Sequence, residues 1–341
     1  MEFDSPKPKQ ILEVLKDKES RTDYINIRID KTTRAGMKSV KRICNENCVF
    51  DAKNNVVCHD DSFYLGQGVA LENEQFVKLV ERISGVSNKK ATIHIAGDGE
   101  PTLLDGELVE FIRKMKESNS VSSVKLTTNG TLLASGKPSL ASRLKQAGLD
   151  GVNVSIHSLS KSEFKNVTGI NALDVALEGV EEALKVGLKV SVNCTVRERT
   201  FDELPDYIAL SRSKGIKIKF FSLLTENLEV QKFYNQLVIK MYSQLEEIAG
   251  KSYSYTRPYA GALFTIDGAL IEVKDSSINS CKNLTCLVRD KCLEGCRYHV
   301  RITRDGVMQP CGVRIDNIVN LTEKMTLDSE IFKSLESGGK I

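Results

Sequence analysis

The feature that most constrains the fold is an alternation of strand-like and helix-like segments over roughly the first 225 residues. Runs rich in β-branched residues predict strands at Tyr24–Ile29, Thr92–Ala96, Val124–Thr127, Val152–Ile156, Lys189–Cys194 and Lys217–Ser222. Helical spacing of apolar residues predicts helices at Asn73–Ile83, Glu107–Glu117, Ser139–Ala147, Ala172–Val186 and Glu203–Lys214. From the second strand onward the unit recurs about every 30 residues. The pattern predicts an α/β fold with a parallel sheet, namely a partial (β/α)6 TIM-type barrel.

The alternation ends near residue 225, and a different organisation follows it. Asn227–Gly250 predicts one long helix, and short β-like pieces surround Phe264–Val273. We therefore predict three parts: an N-terminal arm at residues 1–22, a core barrel at 23–225, and a helical linker with a small cysteine-rich C-terminal domain at 226–341.

Charge and hydropathy exclude several classes of protein. The formal net charge is +3, from 48 Lys and Arg against 45 Asp and Glu, so charge implies neither a nucleic-acid nor a membrane partner. The most apolar stretch, Gly261–Val273, is interrupted by Asp267 and is too short to span a bilayer. Residues 1–10 are polar and lack the apolar core of a signal peptide, so we expect a cytoplasmic location.

Nine cysteines form the most unusual part of the composition. Eight of them fall into two groups, and Cys194 stands alone in a predicted strand, where it is expected to be a small buried hydrophobe. The groups are Cys44, Cys48 and Cys58, and Cys281, Cys286, Cys292, Cys296 and Cys311. In a reducing compartment, thiolate metal sites are favoured over disulfides.

Polar and glycine-rich segments follow three of the predicted strands. They are Gly97-Asp98-Gly99-Glu100-Pro101, Thr127-Thr128-Asn129-Gly130, and Ser155 with its neighbours. In a (β/α) barrel the chemistry lies on the loops after the carboxyl ends of the strands. These three loops are therefore the predicted place of a functional site.

Several motifs together resemble the radical S-adenosylmethionine (SAM) enzymes. Cys44-x3-Cys48-x-Phe50 resembles their CxxxCxΦC loop, Gly99-Glu100-Pro101 their GGEP segment, and residues 127–130 their TTNG loop. Residues 148–159, 167–169 and 187–193 are similar to the MoaA group of that family, the GTP 3′,8-cyclases, as is the Gly338-Gly339 pair near the end. The resemblance covers roughly residues 24–225 well, and the cysteine-rich end more loosely.

The resemblance implies a [4Fe–4S] cluster on three cysteines, with an open iron that binds the amino and carboxylate groups of SAM. It places Phe50 against the adenine and gives the SAM ammonium to Gly99 and Glu100, with Thr128, Asn129 and Ser155 also on the SAM side. A reduced ferredoxin or flavodoxin-type donor would supply the electron that cleaves SAM. The resulting 5′-deoxyadenosyl radical would abstract hydrogen from a substrate.

Asp51 stands where the resemblance expects the third cysteine. Asp51 could bind iron through oxygen, or Cys58 could supply the third thiolate from a longer loop. Alternatively, the cluster has been lost and the fold serves as a metal-cluster or partner-binding scaffold. We favour Asp51 over Cys58 because it directly follows Phe50, which sets the adenine contact.

The C-terminal cysteines, spaced x4, x5, x3 and x14, are typical of a thiolate metal site. A structural zinc site is the simplest interpretation. The resemblance instead favours a second, auxiliary [4Fe–4S] cluster in a SPASM or twitch-type domain, because the end of MoaA-type chains follows a similar plan.

GTP would need basic side chains for its triphosphate. Arg28 and Arg301 match two of the basic positions of the GTP cyclases. Ile93, Ile95, Ser191 and His299 replace others. We therefore predict a substrate other than GTP, with Arg28, His299 and Arg301 as its candidate contacts, and keep a divergent GTP 3′,8-cyclase as an alternative.

Overall fold

The computed structural model describes residues 24–32, 44–49, 70–97, 99–223, 228–250, 253–256, 261–274, 299–309 and 319–320. Its centre is a sheet of twelve strands. The first six pair in parallel in chain order: β1 Tyr24–Ile29, β2 Lys90–Ile95, β3 Val121–Thr128, β4 Gly151–Ser155, β5 Lys189–Thr195 and β6 Lys217–Phe221. The predicted α/β class with a parallel sheet is confirmed.

Strands from the C-terminal third extend both edges of this sheet. Beside β6 lie β7 Tyr253–Thr256, β8 Gly261–Ile266 and β9 Ala269–Lys274, of which β9 pairs parallel with β6. Beside β1 lie β10 His299–Ile302, β11 Val307–Gln309 and β12 Val319–Asn320, of which β10 pairs parallel with β1. β9 and β10 therefore lie on opposite sides of the six parallel strands, although they follow each other in the order of the described strands.

Helices connect the parallel strands and cover one face of the sheet. They are α1 Asn73–Ser87, α2 Gly106–Glu117, α3 Leu140–Gln146, α4 Lys161–Thr168, α5 Leu173–Lys185, α6 Glu198–Asp202, α7 Leu204–Lys214 and α8 Leu228–Ala249, with a 3-10 helix at Pro101–Leu104. The short helices α4 and α6 were not expected from the apolar spacing. Among the helices described, none combines the length and the apolar composition needed to cross a bilayer.

Side-chain alternation explains why the strands form where they do. On β1, Ile27 and Ile29 are fully buried in the helix-covered core, whereas Arg28 between them is half-buried on the opposite face. On β2, Ile93 and Ile95 lie in the same core and His94 lies on the other face. Each strand thus presents apolar residues to the helices and polar residues to the interior of a curved sheet.

The curvature brings distant strands across from each other. Five strands, β2 to β6, separate β1 from β9 in the sheet. Even so, Arg28 on β1 is close enough to Lys274 on β9 to help lower the pKa of that lysine. The concave face is therefore the interior of a partial barrel.

The division into domains stays a prediction. The arm at residues 1–22 and the cysteines of the C-terminal group lie outside the described residues. The β-like pieces expected around Phe264–Val273 form β8 and β9, which belong to the barrel sheet.

Candidate cofactor site at the carboxyl ends of the strands

Residues 44–49 carry Cys44 and Cys48, and we call this segment the cysteine loop. Two backbone hydrogen bonds hold it against the end of α4. The N–H of Asn47 donates to Thr168 O at 2.8 Å, and the N–H of Val49 donates to Val167 O at 2.8 Å. Gly169 follows with a positive φ of 77°, and a Cβ there would press on Asn47 at 3.2 Å. The end of α4 is therefore a backbone support for this cysteine loop.

A side-chain bridge fixes the other side of the cysteine loop. Asn129 Nδ2 donates to Asn45 Oδ1 at 2.7 Å, and Asn45 Nδ2 donates to Thr131 Oγ1 at 2.8 Å. Asn129 Oδ1 in turn accepts from the Thr131 N–H at 3.1 Å. The cysteine loop is thus joined to the loop after β3, the TTNG motif of the sequence.

Glu46 lies between the two thiols. Cys48 Sγ donates to Glu46 Oε2 at 3.4 Å, and the N–H of Glu46 donates to Cys44 Sγ at 3.4 Å. Burial raises the pKa of Glu46 to about 7 and raises the pKa of Cys48 well above its ordinary value. Glu46 Oε1 is buried with no hydrogen-bond partner among the residues that the structure describes.

These donors fit a thiolate-bound metal group. A buried acceptor without a donor is costly unless a cation or a water satisfies it, and two neighbouring thiols supply the soft ligands that iron–sulfur clusters prefer. Within the described ranges, no group of three or more His, Cys, Asp or Glu side chains is arranged to hold a metal ion. The two predicted third ligands, Asp51 and Cys58, both lie outside these ranges.

Glu100 joins the loops after β2 and β3. Its Oε1 accepts from the Thr102 N–H at 3.0 Å, from Thr102 Oγ1 at 2.6 Å and from Thr128 Oγ1 at 2.6 Å. Its Oε2 accepts from the Asn129 N–H at 2.7 Å. The residue is only 3% exposed, and burial raises the pKa of its carboxyl group. Glu100 also helps raise the pKa of Glu46, so the cysteine loop lies beside this carboxylate.

Gly97 allows the loop after β2 to pack on the end of β1. A Cβ on Gly97 would overlap Asp30 Oδ1 and Thr32 Oγ1. Both atoms are held in place, because Asp30 Oδ1 accepts from the N–H and the hydroxyl of Thr32 at 2.8 and 2.7 Å. Thr32 Oγ1 then accepts from the Gly99 N–H at 3.0 Å, which fixes the backbone of the GGEP-like segment.

The ends of β4 and β5 add a half-buried cation, Arg197, to the same edge of the sheet. His157, two residues beyond Ser155, accepts from the Thr195 N–H at Nδ1, and burial and Arg197 lower its pKa to about 4. Arg197 donates to His157 O at 3.0 Å and pairs with Glu163. Arg197 Nε is buried and finds no acceptor within the described parts of the chain.

The structure brings most of the predicted SAM-side residues to one edge. Cys44, Cys48, Gly99, Glu100, Thr128 and Asn129 lie on connected loops, and Ser155 ends the adjacent strand β4. Arg28 and Arg301 are register partners on β1 and β10, and the backbone of His299 pairs with Asn26. Phe50, Asp51, Cys58, Cys281, Cys286, Cys292, Cys296 and Cys311 lie outside the described residues, so their roles stay predictions.

Sequence reasoning missed four residues of this site: Asn45, Glu46, Thr102 and Arg197. Asn45 and Glu46 stand inside the cysteine motif, so their position alone was a usable signal. Thr102 bonds to Glu100, which stands only two residues before it in the GGEP-like segment. Nothing local distinguishes Arg197, because its partners His157 and Glu163 are 40 and 34 residues away.

Sequence comparison gives relatives for most of the chain. Residues 38–210 match the sequence model of the family described as Radical SAM superfamily. A "Probable GTP 3′,8-cyclase" of Sulfolobus acidocaldarius is 31% identical over 290 residues, which cover 82% of this chain and 81% of the relative. One of Sulfurisphaera tokodaii is 29% identical over 301 residues, covering 87% of both chains.

Solved structures share the fold. Streptococcus suis SuiB bound to S-adenosylmethionine superimposes with a TM-score of 0.54 at 15% identity, over 92% of this chain and 66% of that chain. The anSMEcpe structure with bound AdoMet and Cp18Cys peptide gives a TM-score of 0.54 at 16% identity, over 93% and 84%. At this identity the likeness shows the architecture, which agrees with the partial TIM barrel expected from the sequence.

Proposed function

The chain belongs to the radical SAM superfamily, and from that premise we propose an enzyme that reductively cleaves SAM with a [4Fe–4S] cluster and abstracts hydrogen from a substrate other than GTP. The observation that carries this proposal is the docking of the cysteine loop onto the loops after β2 and β3. The Asn129 side chain donates a hydrogen bond to Asn45 there, and the Asn129 N–H donates one to Glu100. The thiols of Cys44 and Cys48 and the proposed SAM contacts thus form one connected unit.

The bound cluster and SAM supply the chemistry, which is one-electron cleavage to methionine and a 5′-deoxyadenosyl radical. Cys44 and Cys48 would hold two irons, and Asp51 or Cys58 the third. The backbone of Gly99 and Glu100 would face the SAM ammonium, while the Glu100 side chain keeps the loops after β2 and β3 together. The unsatisfied Nε of Arg197 supports a further contact to an anionic group at the same edge, such as the SAM carboxylate.

The substrate is the open part of the proposal. The relatives named probable GTP 3′,8-cyclases favour a divergent enzyme of that reaction as the second candidate. However, Ile93 and Ile95, which replace basic residues of the GTP cyclases, lie in the helix-covered core. Their apolar character is required by the core, so it bears less on the substrate than the sequence suggested.

Other parts of the proposal rest on the resemblance. These are an auxiliary [4Fe–4S] cluster on the C-terminal cysteines in a SPASM-type domain, a ferredoxin or flavodoxin-type electron donor, and a cytoplasmic location. A catalytically inactive scaffold is the third alternative, and SAM cleavage separates it from the other two.

The test is SAM cleavage by anaerobically purified, iron-loaded protein with dithionite as reductant. We expect 5′-deoxyadenosine and methionine in equal amounts, and none from a Cys44→Ala, Cys48→Ala double variant. Adding GTP separates the two candidates, because conversion of GTP to a cyclised product would favour the divergent cyclase. Iron-loaded protein that neither binds nor cleaves SAM would overturn the proposal.

A further inference from the structure

The side chain of Glu46, inside the cysteine loop, has one oxygen that is hydrogen-bonded and one that is not. Its Oε2 accepts from Cys48 Sγ at 3.4 Å. Its Oε1 is buried and has no hydrogen-bond partner among the residues that the structure describes. A buried carboxylate oxygen without a donor is unfavourable, and a carboxylate can accept several hydrogen bonds. Glu46 can therefore accept at least one further donor.

Metal binding removes the hydrogen bond that Glu46 accepts from Cys48. A cysteine that is bound to iron is a thiolate, so it has no proton to donate. Once Cys48 holds iron, neither oxygen of Glu46 has a donor within the described parts of the chain. The carboxylate then lies beside an anionic thiolate. A charged donor from outside these parts of the chain would offset that arrangement.

Glu100 is the second acid beside the cysteine loop, and its side chain is already occupied. Its two oxygens accept four hydrogen bonds, from Thr102, Thr128 and Asn129. Burial raises the pKa of Glu46 and Glu100 raises it further, so the two carboxylates are close enough to repel each other. A cation bound near both acids reduces this repulsion. Glu46 is the acid of the two whose oxygen is free to accept a proton from that cation.

We propose that Glu46 is a SAM-binding residue whose carboxylate accepts a hydrogen bond from the amino group of SAM. SAM is the cationic ligand of the proposed function, because it carries an ammonium and a sulfonium group against one carboxylate. The amino group is favoured over the sulfonium because only the amino group has N–H bonds to donate. The inference rests on the proposed function. It adds a residue to the prediction made from the sequence, which gave the SAM ammonium to Gly99 and Glu100 only.

The test measures the affinity of three adenosine compounds for full-length, anaerobically purified, iron-loaded protein by equilibrium dialysis. SAM and S-adenosylhomocysteine both carry the amino group, whereas 5′-methylthioadenosine lacks it. In Glu46→Gln we expect SAM and S-adenosylhomocysteine to bind about tenfold weaker, because a neutral amide is a weaker acceptor than a carboxylate. Binding of 5′-methylthioadenosine should not change. Glu110→Gln, which alters an exposed carboxylate of α2, is the matched control and should bind all three compounds like the wild type.

Glu46→Asp keeps the carboxylate and should bind SAM more tightly than Glu46→Gln does. Iron is assayed on every sample, and loss of iron from Glu46→Gln would overturn the inference by making Glu46 an iron ligand. Weaker binding of SAM alone, with S-adenosylhomocysteine unchanged, would overturn it in favour of an attraction to the sulfonium charge. Wild-type SAM affinity in Glu46→Gln contradicts this inference alone. Iron-loaded wild-type protein that binds no SAM contradicts the proposed function, and this inference with it.

Discussion

At the residue scale, Glu100 has a structural role that its sequence motif did not indicate. The sequence assigned it to the SAM ammonium, and that role stays a prediction. The structure shows that its carboxylate already accepts four hydrogen bonds, from Thr102, Thr128 and Asn129. The side chain therefore positions the backbone of two loops, and any contact to SAM is made by a group that is already fixed.

Replacing Glu100 by Ala should weaken SAM binding by about tenfold or more, because four donors lose their acceptor and the two loops separate. Iron content should not change, because Cys44 and Cys48 are untouched. Equilibrium dialysis with SAM and an iron assay on one sample measure both. Glu110→Ala, which removes an exposed carboxylate of α2, is the control. A Glu100→Ala protein with wild-type SAM affinity would remove Glu100 from the site.

The third cluster ligand is the second question at this scale. If Asp51 binds iron, Asp51→Ala should lose the SAM-responsive cluster, whereas Asp51→Cys should keep or improve its occupancy. If Cys58 binds iron, Cys58→Ala should lose that cluster and Asp51→Ala should matter little. Electron paramagnetic resonance of the reduced protein, with and without SAM, reports this cluster separately. Unchanged spectra in both alanine variants would contradict both assignments and favour the inactive scaffold.

At the scale of single elements, one face of each parallel strand packs against the helices and the other lines the interior of the curved sheet. The face toward the helices accepts only apolar side chains, and the inner face gathers the polar ones, as on β1 and β6. The loops at the strand ends then pack on one another through positions with no room for a side chain. A substitution at Gly97 tests the packing of the loops, and a substitution at Lys219 tests the polar inner face.

Gly97→Ala should lower the free energy of unfolding by about 1–3 kcal/mol, since its Cβ meets two hydrogen-bonded atoms. Gly85→Ala is the matched control: it lies in α1, and a Cβ there meets nothing within 4 Å. That control should gain about 0.5–1 kcal/mol from helix propensity. Urea denaturation of both variants gives the comparison, and equal stabilities would show that the loop after β2 tolerates a side chain.

Lys219→Met should raise the free energy of unfolding at pH 7 by about 1 kcal/mol, because a desolvated cation is removed at the expense of one hydrogen bond to Asn153. The folded pKa is about 8 against an ordinary 10.5, so the unfolded chain binds more protons between these values. Stability contributed by Lys219 therefore rises with pH through this window, and the benefit of the substitution should shrink toward pH 10. Urea denaturation at pH 7 and pH 10 tests this. A variant less stable than the wild type at pH 7 would contradict an unfavourable burial of the Lys219 charge.

At the scale of the whole molecule, the C-terminal third of the chain completes the barrel sheet. Its described strands pair with β6 on one edge and with β1 on the other. Four of the five C-terminal cysteines stand in the sequence between β9 and β10.

Anaerobically isolated protein should carry about eight irons per chain, as two cubane clusters, because the two cysteine groups together exceed the needs of one site. Cys292→Ala with Cys296→Ala should reduce this to about four and leave SAM binding intact. Cys194→Ala is the control, since Cys194 is buried on β5 away from both groups in the sequence. Colourless protein with stoichiometric zinc would contradict the two-cluster prediction.

The sequence by itself determined the elements and the loops that matter. Its six predicted strands and six predicted helices overlap those observed, because the spacing of apolar side chains reflects which face of each element is buried. Only the tertiary structure decided which loops and strands come together. The hydrogen-bonded Asn45 and Asn129 are 84 residues apart in the sequence, and Lys219 and Asn153 are 66 residues apart. It also placed β9 and β10 on opposite sides of the six parallel strands and turned His94, rather than Ile93 or Ile95, toward the interior. These contacts depend on the order and curvature of the strands, which local periodicity does not encode.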